Sequence, residues 1–260
     1  MIKHLIPSLA TLCLPGIASA ALVAWYPLDT DALDASGNGH NGSVVGGTVN
    51  FGQAGANGST GSSAAFPDNG HIDVPFSTAL NPGSFTVTLW ANASSTGGFA
   101  SPLTSRDDVA GPITHGYIIY NNSGGAWDFW TGDGDAGWDT LAGDSVATNT
   151  WSHIAITYDA GTDTKTLWID GALSATDNVP QSGPTQYAPN GPEMEDLHIG
   201  SGQDDGNNFF FSGNIDDVTI WDEALGQAEI MDIMDNSIPE PSGICLIGLA
   251  GLGLVLRRRR

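Results

Sequence analysis

Cysteine is almost absent from this 260-residue chain, and its two copies stand in apolar stretches near the two ends. They are Cys13 and Cys245, so residues 21–237 contain no cysteine at all. A disulfide-stabilised domain is therefore excluded for this central segment, although an exported protein would be free to form one. Its stability must come from packing of apolar side chains, with a bound metal ion as the other available source.

Basic residues are also scarce, with seven Lys and Arg against 29 Asp and Glu. Only Arg106 and Lys165 of the basic residues lie within 21–237, whereas every acidic residue except Glu240 does, so this segment carries a formal charge of 2 − 28 = −26. Such a surface repels nucleic acid and anionic lipid, so we expect no nucleic-acid partner. It suits a calcium-rich exterior, because carboxylate oxygens are hard ligands. The simpler alternative is that the acids keep an exported protein soluble.

Long apolar runs are missing except at the two ends of the chain. Residues 1–20 have a basic start, an apolar stretch over 5–17 and the small residues Ala18 and Ala20 at their end. Small residues three and one positions before a cleavage site are typical of a secretory signal peptide. We therefore predict a signal peptide over 1–20, cleavage after Ala20 and one exported domain over 21–237.

The other end of the chain combines Pro239-Glu240-Pro241, a fourteen-residue apolar run over 243–256 and arginines at 257–260. As a helix the run would rise roughly 21 Å, short of the roughly 30 Å core of a bilayer, with the arginines on the cytoplasmic side. In this order the features resemble the PEP-CTERM sorting signal of exported Gram-negative bacterial proteins. The resemblance implies a sorting tail over 238–260 whose transmembrane helix holds the chain transiently at the inner membrane. It also implies an exosortase-type membrane protease as partner, and delivery to the cell surface or extracellular matrix. An ordinary tail anchor is the alternative.

The central segment alternates apolar and polar residues at period two in many short runs, which is typical of strands with one face on a core. About twelve such strands with turns between them predict an all-β fold, a two-sheet antiparallel sandwich. Asp170-Gly171 predicts a tight hairpin turn, because glycine tolerates a positive φ. Helical spacing over Glu223–Asp235 predicts one short helix after the last strand. The predicted strands include Leu22–Leu28, Gly70–Val74, Ser84–Trp90, Gly116–Tyr120, Ala126–Thr131, Ser152–Tyr158, Lys165–Asp170, Asp196–Gly200 and Gly213–Trp221.

Several local sequences together form the pattern of a known family. The most distinctive are Ala24–Asp29 near the start, Trp151–Asp159 in the middle and Ser212–Trp221 near the end. Together with Phe85–Trp90 and Leu167–Gly171, and in this order, they resemble the LamG-like jelly roll, a concanavalin A-like sandwich. The resemblance implies two facing antiparallel sheets with adjacent first and last strands. It leaves function open, because the fold hosts lectins, adhesion modules, glycosidases and plain scaffolds.

Oxygen-bearing side chains stand beside the first and the last predicted strands. Asp34 and Asn38 follow the first predicted strand, and Asp216 and Asp217 interrupt the alternation of the last one, where we predict a β-bulge. If the two strands pair, these oxygens approach one another, and calcium takes six to eight oxygen ligands. We therefore predict calcium as a cofactor, bound by Asp34, Asn38, Asp216 and Asp217. The alternative is a loop whose side chains only satisfy turn backbone.

Tryptophans are the candidates for binding a glycan, because an indole face stacks on a sugar ring while nearby acids bond its hydroxyls. On a regular strand Trp127 and Trp130 point to opposite faces, so one of the two is buried in the core. We predict that Trp130 and Trp138 are exposed and bind glycan. The acidic stretch over 133–139 lacks the glycine and the flanking helices of an EF-hand, so it is interpreted as a hairpin tip, with an irregular calcium loop as the alternative.

No catalytic motif is complete in the sequence. Glu193 and Glu195 begin like the acid motif of laminarinase-type glycosidases, which share the broad fold, but Leu197 and His198 stand where the third acid belongs. His153 is interpreted as a structural member of its strand, and the other histidines of the segment as isolated residues. We predict a non-enzymatic carbohydrate-binding or adhesion protein. A polysaccharide-active hydrolase or lyase and a purely structural matrix protein are the alternatives.

Overall fold

The computed structural model describes residues 20–106, 113–134, 137–178, 187–189, 195–202, 208–236 and 238. Within them the chain forms fifteen strands, a 3₁₀ turn at Thr78–Leu80 and one α-helix, α1, at Gln227–Asp235. The strands are β1 Leu22–Tyr26, β2 Ser43–Val45, β3 Asn50–Ala54, β4 Ser62–Phe66, β5 His71–Val74, β6 Phe85–Ala93, β7 Ala100–Arg106, β8 Gly116–Asn121, β9 Ala126–Gly132, β10 Trp138–Ser145, β11 Ser152–Asp159, β12 Thr164–Ile169, β13 Ala172–Asn178, β14 Leu197–Ile199 and β15 Gly213–Trp221.

These strands form the two antiparallel sheets of a jelly-roll sandwich, as predicted. Sheet A has the order β13-β12-β11-β6-β15-β4-β3, and β1 pairs with the second half of β15. Sheet B has the order β10-β9-β8-β7-β14-β5-β2. The expected adjacency of the first and last strands is therefore confirmed.

One apolar core lies between the two sheets. Its members alternate along each strand, so that sheet A supplies Leu89 and Ile156 while sheet B supplies Ile119 and Phe129, all fully buried. Fully burying an apolar side chain of this size contributes roughly 1.5–3 kcal/mol. Since the domain has no cysteine, this packing is the main source of its stability.

Two predicted hairpins are confirmed by the backbone. Asp170 and Gly171 join β12 to β13 with φ values of +51° and +72°, the two positive values of a type I′ turn. Strands β9 and β10 pair antiparallel with Trp138 opposite Gly132, so the chain reverses direction between them. Trp138 and Asp139, at the end of the predicted hairpin tip, already belong to β10.

Helix α1 begins four residues later than predicted. Thr86 Oγ donates to the carbonyl oxygen of Glu223 at 2.7 Å and accepts from the backbone N–H of Leu225 at 2.8 Å, which ties this connection to sheet A. The helix then packs Ile230 against Ala155 and Leu225 on the outer face of sheet A. The outer face of sheet B carries a different set of side chains, described below.

No helix among the described residues is long and apolar enough to cross a membrane. The predicted transmembrane run over 243–256 lies outside the described residues, as do residues 1–19 of the predicted signal peptide. The sorting motif Pro239, Glu240 and Pro241 also lies outside them.

Candidate functional site

Strand β15 changes partner at Asp216 and Asp217. Residues Gly213–Ile215 pair with β4, residues Val218–Trp221 pair with β1, and β6 lies along the other side. The pairing with β6 shifts register between Asp216 and Thr219, and Asp217 has a φ of +45°. The predicted β-bulge is therefore present, at the position where two neighbouring strands meet.

Both bulge carboxylates are buried. Asp216 Oδ2 accepts a hydrogen bond from the backbone N–H of Ala56 at 2.8 Å, while no described group bonds to its Oδ1. Asp217 Oδ1 accepts from Trp25 Nε1 at 2.8 Å. Burial raises the pKa of Asp216 to about 6 and the pKa of Asp217 to about 7, and the charge of nearby Asp29 adds to both shifts. The site thus gathers negative charge in a poorly hydrated place.

The other two predicted calcium ligands order the loop after β1. Asp34 accepts hydrogen bonds from the backbone N–H groups of Trp25, Ser36 and His40 at 3.1, 2.8 and 2.9 Å. Burial opposes its ionisation, but these bonds prevail and hold the pKa of Asp34 below its usual value. Asn38 Nδ2 donates to two carbonyl oxygens of β1, each 2.9 Å away. These contacts belong to the loop-ordering alternative, and the acidic neighbour of the bulge is Asp29.

Sheet B carries an aromatic cluster on the face turned away from the core. Its ring centroids are separated by 5.1 Å between Trp130 and Tyr120, 5.5 Å between Trp130 and Phe99, and 5.7 Å between Tyr120 and Phe209. Trp138 lies 6.4 Å from Trp130. Both predicted glycan-binding tryptophans are half-buried. We define the aromatic cluster as Phe99, Tyr120, Trp130, Trp138 and Phe209.

A hydrogen bond holds Trp130 of the aromatic cluster in position. Trp130 Nε1 donates to Asp128 Oδ2 at 3.1 Å, which fixes the orientation of the indole. Trp127, on the other face of the same strand, is buried in the core, as the alternation predicted.

Arg106 supports Trp138 from the side of β7. Its guanidinium carbon lies 4.7 Å from the centroid of the Trp138 ring, within the range of a cation–π interaction. Across the sheet, Arg106 pairs with Gly116, and Trp138 pairs with Gly132. The two side chains therefore lie on the same face of sheet B, and their contact spans the two strands between β7 and β10.

Three titratable side chains meet near the other edge of this face. Asp73 Oδ1 lies 3.2 Å from His71 Nε2 and 3.2 Å from His198 Nδ1. The ligand atoms of all three lie within 4.8 Å of one another, and they are the one such group of His and acidic residues in the described part of the chain. We name His71, Asp73 and His198 the His–Asp cluster.

The interpretation of His71 and His198 as isolated residues was wrong. His71 and Asp73 are two apart on β5, so they share a face, and antiparallel pairing places His198 of β14 directly opposite Asp73. The signal in the sequence was that these three residues stand at polar positions of the alternation in two predicted strands. Without the order of strands in the sheet, however, nothing connected those strands.

One row of directly paired residues joins the His–Asp cluster to the aromatic cluster. Asp73, His198, Thr104, Ile118 and Trp130 are successive partners across β5, β14, β7, β8 and β9. Residues in such a row share a face, and strands lie about 4.8 Å apart, so His198 and Trp130 are separated by about 14 Å across the sheet. The two clusters therefore belong to one surface.

The sequence named three further candidates for chemistry, which are Glu193, Glu195 and His153. Glu193 lies outside the described residues, and Glu195 stands in the segment before β14. His153 is 1% exposed, and burial lowers its pKa to about 3, so its imidazole is neutral inside the fold. This agrees with its interpretation as a structural residue.

Comparisons with known proteins identify both parts of the chain. Residues 66–231 match the model of the concanavalin A-like lectin/glucanases superfamily. Residues 237–260 match the PEP-CTERM protein-sorting motif, the signal of an exported protein. Pentraxin-related protein PTX3 of Mus musculus is 34% identical over 98 residues, which are 35% of this chain. The match covers 24% of the mouse protein, so the chain spans about a quarter of that relative.

Solved structures share the fold at low sequence identity. Domain 4 of AbnA, a GH43 extracellular arabinanase from Geobacillus stearothermophilus in complex with arabinotriose, has a TM-score of 0.58 and 20% identity, covering 83% of this chain and 99% of that one. The CBM40 of the Ruminococcus gnavus IT-sialidase, bound to α2,3-sialyllactose, has a TM-score of 0.52 and 12% identity, covering 66% and 95%. Because the family model spans more than half of its length, this chain belongs to the concanavalin A-like lectin/glucanases superfamily.

Proposed function

We propose that the chain is an exported, non-catalytic carbohydrate-binding module that acts in adhesion at the cell surface or in the extracellular matrix. An exosortase-type protease processes its sorting tail, in keeping with the PEP-CTERM motif. The observation that carries the proposal is the aromatic cluster, in which Trp130 and Trp138 present half-exposed rings on one outer face of sheet B. Sugar-bound relatives of the same fold support a glycan as the ligand class.

The aromatic cluster provides what a sugar ring needs from a binding surface. Apolar sugar faces stack on indole, and a rigid aromatic ring loses little conformational entropy on binding. The bond from Trp130 to Asp128 and the cation–π contact of Trp138 with Arg106 keep both rings in place before a ligand arrives. Preorganisation of this kind raises affinity by lowering the entropic cost of binding.

The charge of the domain favours a neutral glycan over an acidic one. Residues 21–237 carry a formal charge of −26, and Arg106 is the one basic residue beside the aromatic cluster among the described residues. A carboxylate on a sugar would meet repulsion from the whole surface, while hydroxyl groups would not. We infer that uncharged polysaccharides bind more tightly than sialylated or uronic-acid polymers.

Binding to immobilised neutral and acidic polysaccharides, followed by calorimetry on oligosaccharides of the best polymer, tests this function. Trp130→Ala and Trp138→Ala should each weaken binding by about tenfold or more, equal to about 1.4 kcal/mol. Leu173→Ala is the matched control, because Leu173 is 55% exposed and lies on sheet A. Equal affinity in all three variants would remove the aromatic cluster as the binding surface.

Two further outcomes would redirect the assignment. Release of reducing ends from a polysaccharide, abolished by Glu195→Gln, would indicate a glycoside hydrolase or lyase. Absence of binding to every polysaccharide, at millimolar sugar and with calcium present, would favour a structural role in the matrix.

We also propose that calcium binds at the bulge of β15, with Asp216 as its buried acidic ligand and with Asp29 and Asp217 as the negative charge around it. The buried Asp216 Oδ1 without a described bonding partner is the observation that fits a cation. Neither basic residue of the domain serves there, since Arg106 stacks on Trp138 and Lys165 Nζ lies 3.2 Å from Asp139 Oδ1. Carboxylate and carbonyl oxygens are the ligands that calcium prefers. The ion would neutralise the buried acids and fix the junction of β1, β4 and β15.

A further inference from the structure

The His–Asp cluster has a hydrogen-bond geometry that requires a cation. His71 Nδ1 lies 3.1 Å from the carbonyl oxygen of Asn69, which can only accept, so Nδ1 carries a proton. In a neutral imidazole Nε2 then carries a lone pair and no proton, so it can only accept. That lone pair faces Asp73 Oδ1 at 3.2 Å, another acceptor. Two acceptors at this distance repel unless a proton or a metal ion lies between them.

The second histidine brings another nitrogen to the same carboxylate oxygen. His198 Nδ1 lies 3.2 Å from Asp73 Oδ1, and the two imidazole rings are stacked with centroids 5.3 Å apart and planes at 12°. Two ligands held about 2.0–2.1 Å from a tetrahedral zinc ion are about 3.3 Å apart, which matches both separations. Both nitrogen–oxygen separations are thus those of ligands of one small ion, and the two nitrogens lie within 4.8 Å of each other.

The surroundings hold the His71 ring in a fixed orientation. The bond to Asn69 is the kind of outer contact by which metal-binding histidines are usually oriented. The backbone of Gly46 packs against the ring so closely that a Cβ there would lie 2.9 Å from His71 Cε1. Phe210 contacts the ring at a centroid distance of 5.6 Å. Such a ring stays in place without the ion.

We propose that His71 Nε2, His198 Nδ1 and Asp73 Oδ1 bind one divalent transition-metal ion of the zinc type. Two imidazoles and a carboxylate suit zinc and its first-row neighbours, whereas calcium takes oxygen ligands, so this site is distinct from the proposed calcium site. The side chain of Asp73 is 25% exposed, so solvent reaches the cluster. Three protein ligands leave one position of a tetrahedral ion open, on the face that carries Trp130.

Zinc titration by calorimetry tests the proposal on the full chain, purified in mild detergent and stripped with chelator. Calcium at about 5 mM, above the dissociation constants of about 0.1–1 mM that extracellular calcium sites have, is kept present throughout to occupy acidic sites that prefer hard ions. We expect one equivalent of zinc to bind with micromolar or tighter affinity. Asp73→Asn, His71→Ala and His198→Ala should each weaken it by at least about tenfold.

His40→Ala is the matched control, because it removes an imidazole from a loop of the same domain outside the His–Asp cluster. Cobalt added in place of zinc should give the visible absorption of a four-coordinate ion, lost in Asp73→Asn, whose near-isosteric side chain preserves folding. Absence of zinc binding at millimolar concentration would overturn the proposal and leave a bridging proton as the cation. Equal binding by the wild type and all cluster variants would overturn it as well, by assigning the ion to the acidic surface.

Discussion

Asp216 provides the sharpest test of how burial and charge are balanced in this fold. Its pKa is raised from 3.8 to about 6, mainly by burial, so the folded state disfavours the ionised carboxylate. The stability that the protonated form provides is complete below pH 3.8 and is lost as the pH rises through about 6. At pH 8 without calcium, the ionised group therefore costs the folded protein about 3 kcal/mol.

Asp216→Asn removes this charge and keeps an oxygen that can accept from the backbone N–H of Ala56. In chelator at pH 8 we expect the variant to be more stable than the wild type by up to about 3 kcal/mol, or about 6–12 °C in melting temperature. The difference should vanish near pH 4, where the wild-type carboxyl is protonated. In saturating calcium the stability advantage of the variant should shrink or reverse, because an ion at a hundred times its dissociation constant adds about 2.7 kcal/mol to the stability of the wild type alone.

Tryptophan fluorescence and far-UV circular dichroism during urea unfolding provide the measurement, at both pH values and with calcium or EDTA. Asp144→Asn is the control, because Asp144 is exposed and its substitution changes the net charge equally. A variant less stable than the wild type in chelator at pH 8 would show that the ionised Asp216 does not destabilise the folded protein. So would a stability difference between the two that does not change with pH.

Three further changes test separate parts of the fold. Lys165 is fully buried beside Asp139, and burial lowers its pKa. In urea unfolding, Asp139→Ala should therefore lower the free energy of unfolding by about 2–3 kcal/mol, whereas Lys165→Met, which removes the buried charge itself, should change it by less than about 1 kcal/mol. A larger loss in Lys165→Met than in Asp139→Ala would contradict this expectation. His153 has a pKa of about 3 in the folded protein against 6.5 in the unfolded chain, so its contribution to stability should be lost as the pH falls from 6.5 to 3, by up to about 5 kcal/mol. In melting curves recorded across this range, His153→Gln should show a smaller dependence of stability on pH than the wild type. An unchanged dependence would show that His153 is not its source. Gly200 has a φ of +87°, and a Cβ there would lie 2.5 Å from buried Phe66, so Gly200→Ala should lower the free energy of unfolding by at least about 2 kcal/mol. Gly58→Ala is the control, because a Cβ at Gly58 would meet nothing within 4 Å. Equal melting temperatures of the two variants would contradict the close packing of Gly200 against Phe66.

The strands were predictable because the alternation of side chains is a local property. β15 spans Gly213–Trp221 as predicted, and the bulge followed from two acids that interrupt its apolar phase. The start of α1 was missed by four residues, because its limit is set by Thr86, far away in the sequence. The proximity of Trp130 and Trp138 was predictable for the same reason as the strands, since both residues belong to one hairpin.

The His–Asp cluster shows the limit of that reasoning. His71 and Asp73 are neighbours in the sequence, but His198 reaches them only because β14 lies between β5 and β7 in sheet B. Likewise Asp29 acts on Asp216 and Asp217 only because β15 changes partner at the bulge. Strand order depends on contacts between distant segments, which composition and spacing do not record.

The residues alone were enough to predict that the chain is sorted for export, that residues 21–237 form no disulfide, and that the fold consists of strands with alternating apolar and polar residues. These properties follow from residues close together along the chain. The order and register of the strands, which arise in the folded molecule, place the His–Asp cluster and the aromatic cluster on one surface of sheet B. A shift of one strand by one residue would turn the side chains of that strand to the opposite face and would break up the surface.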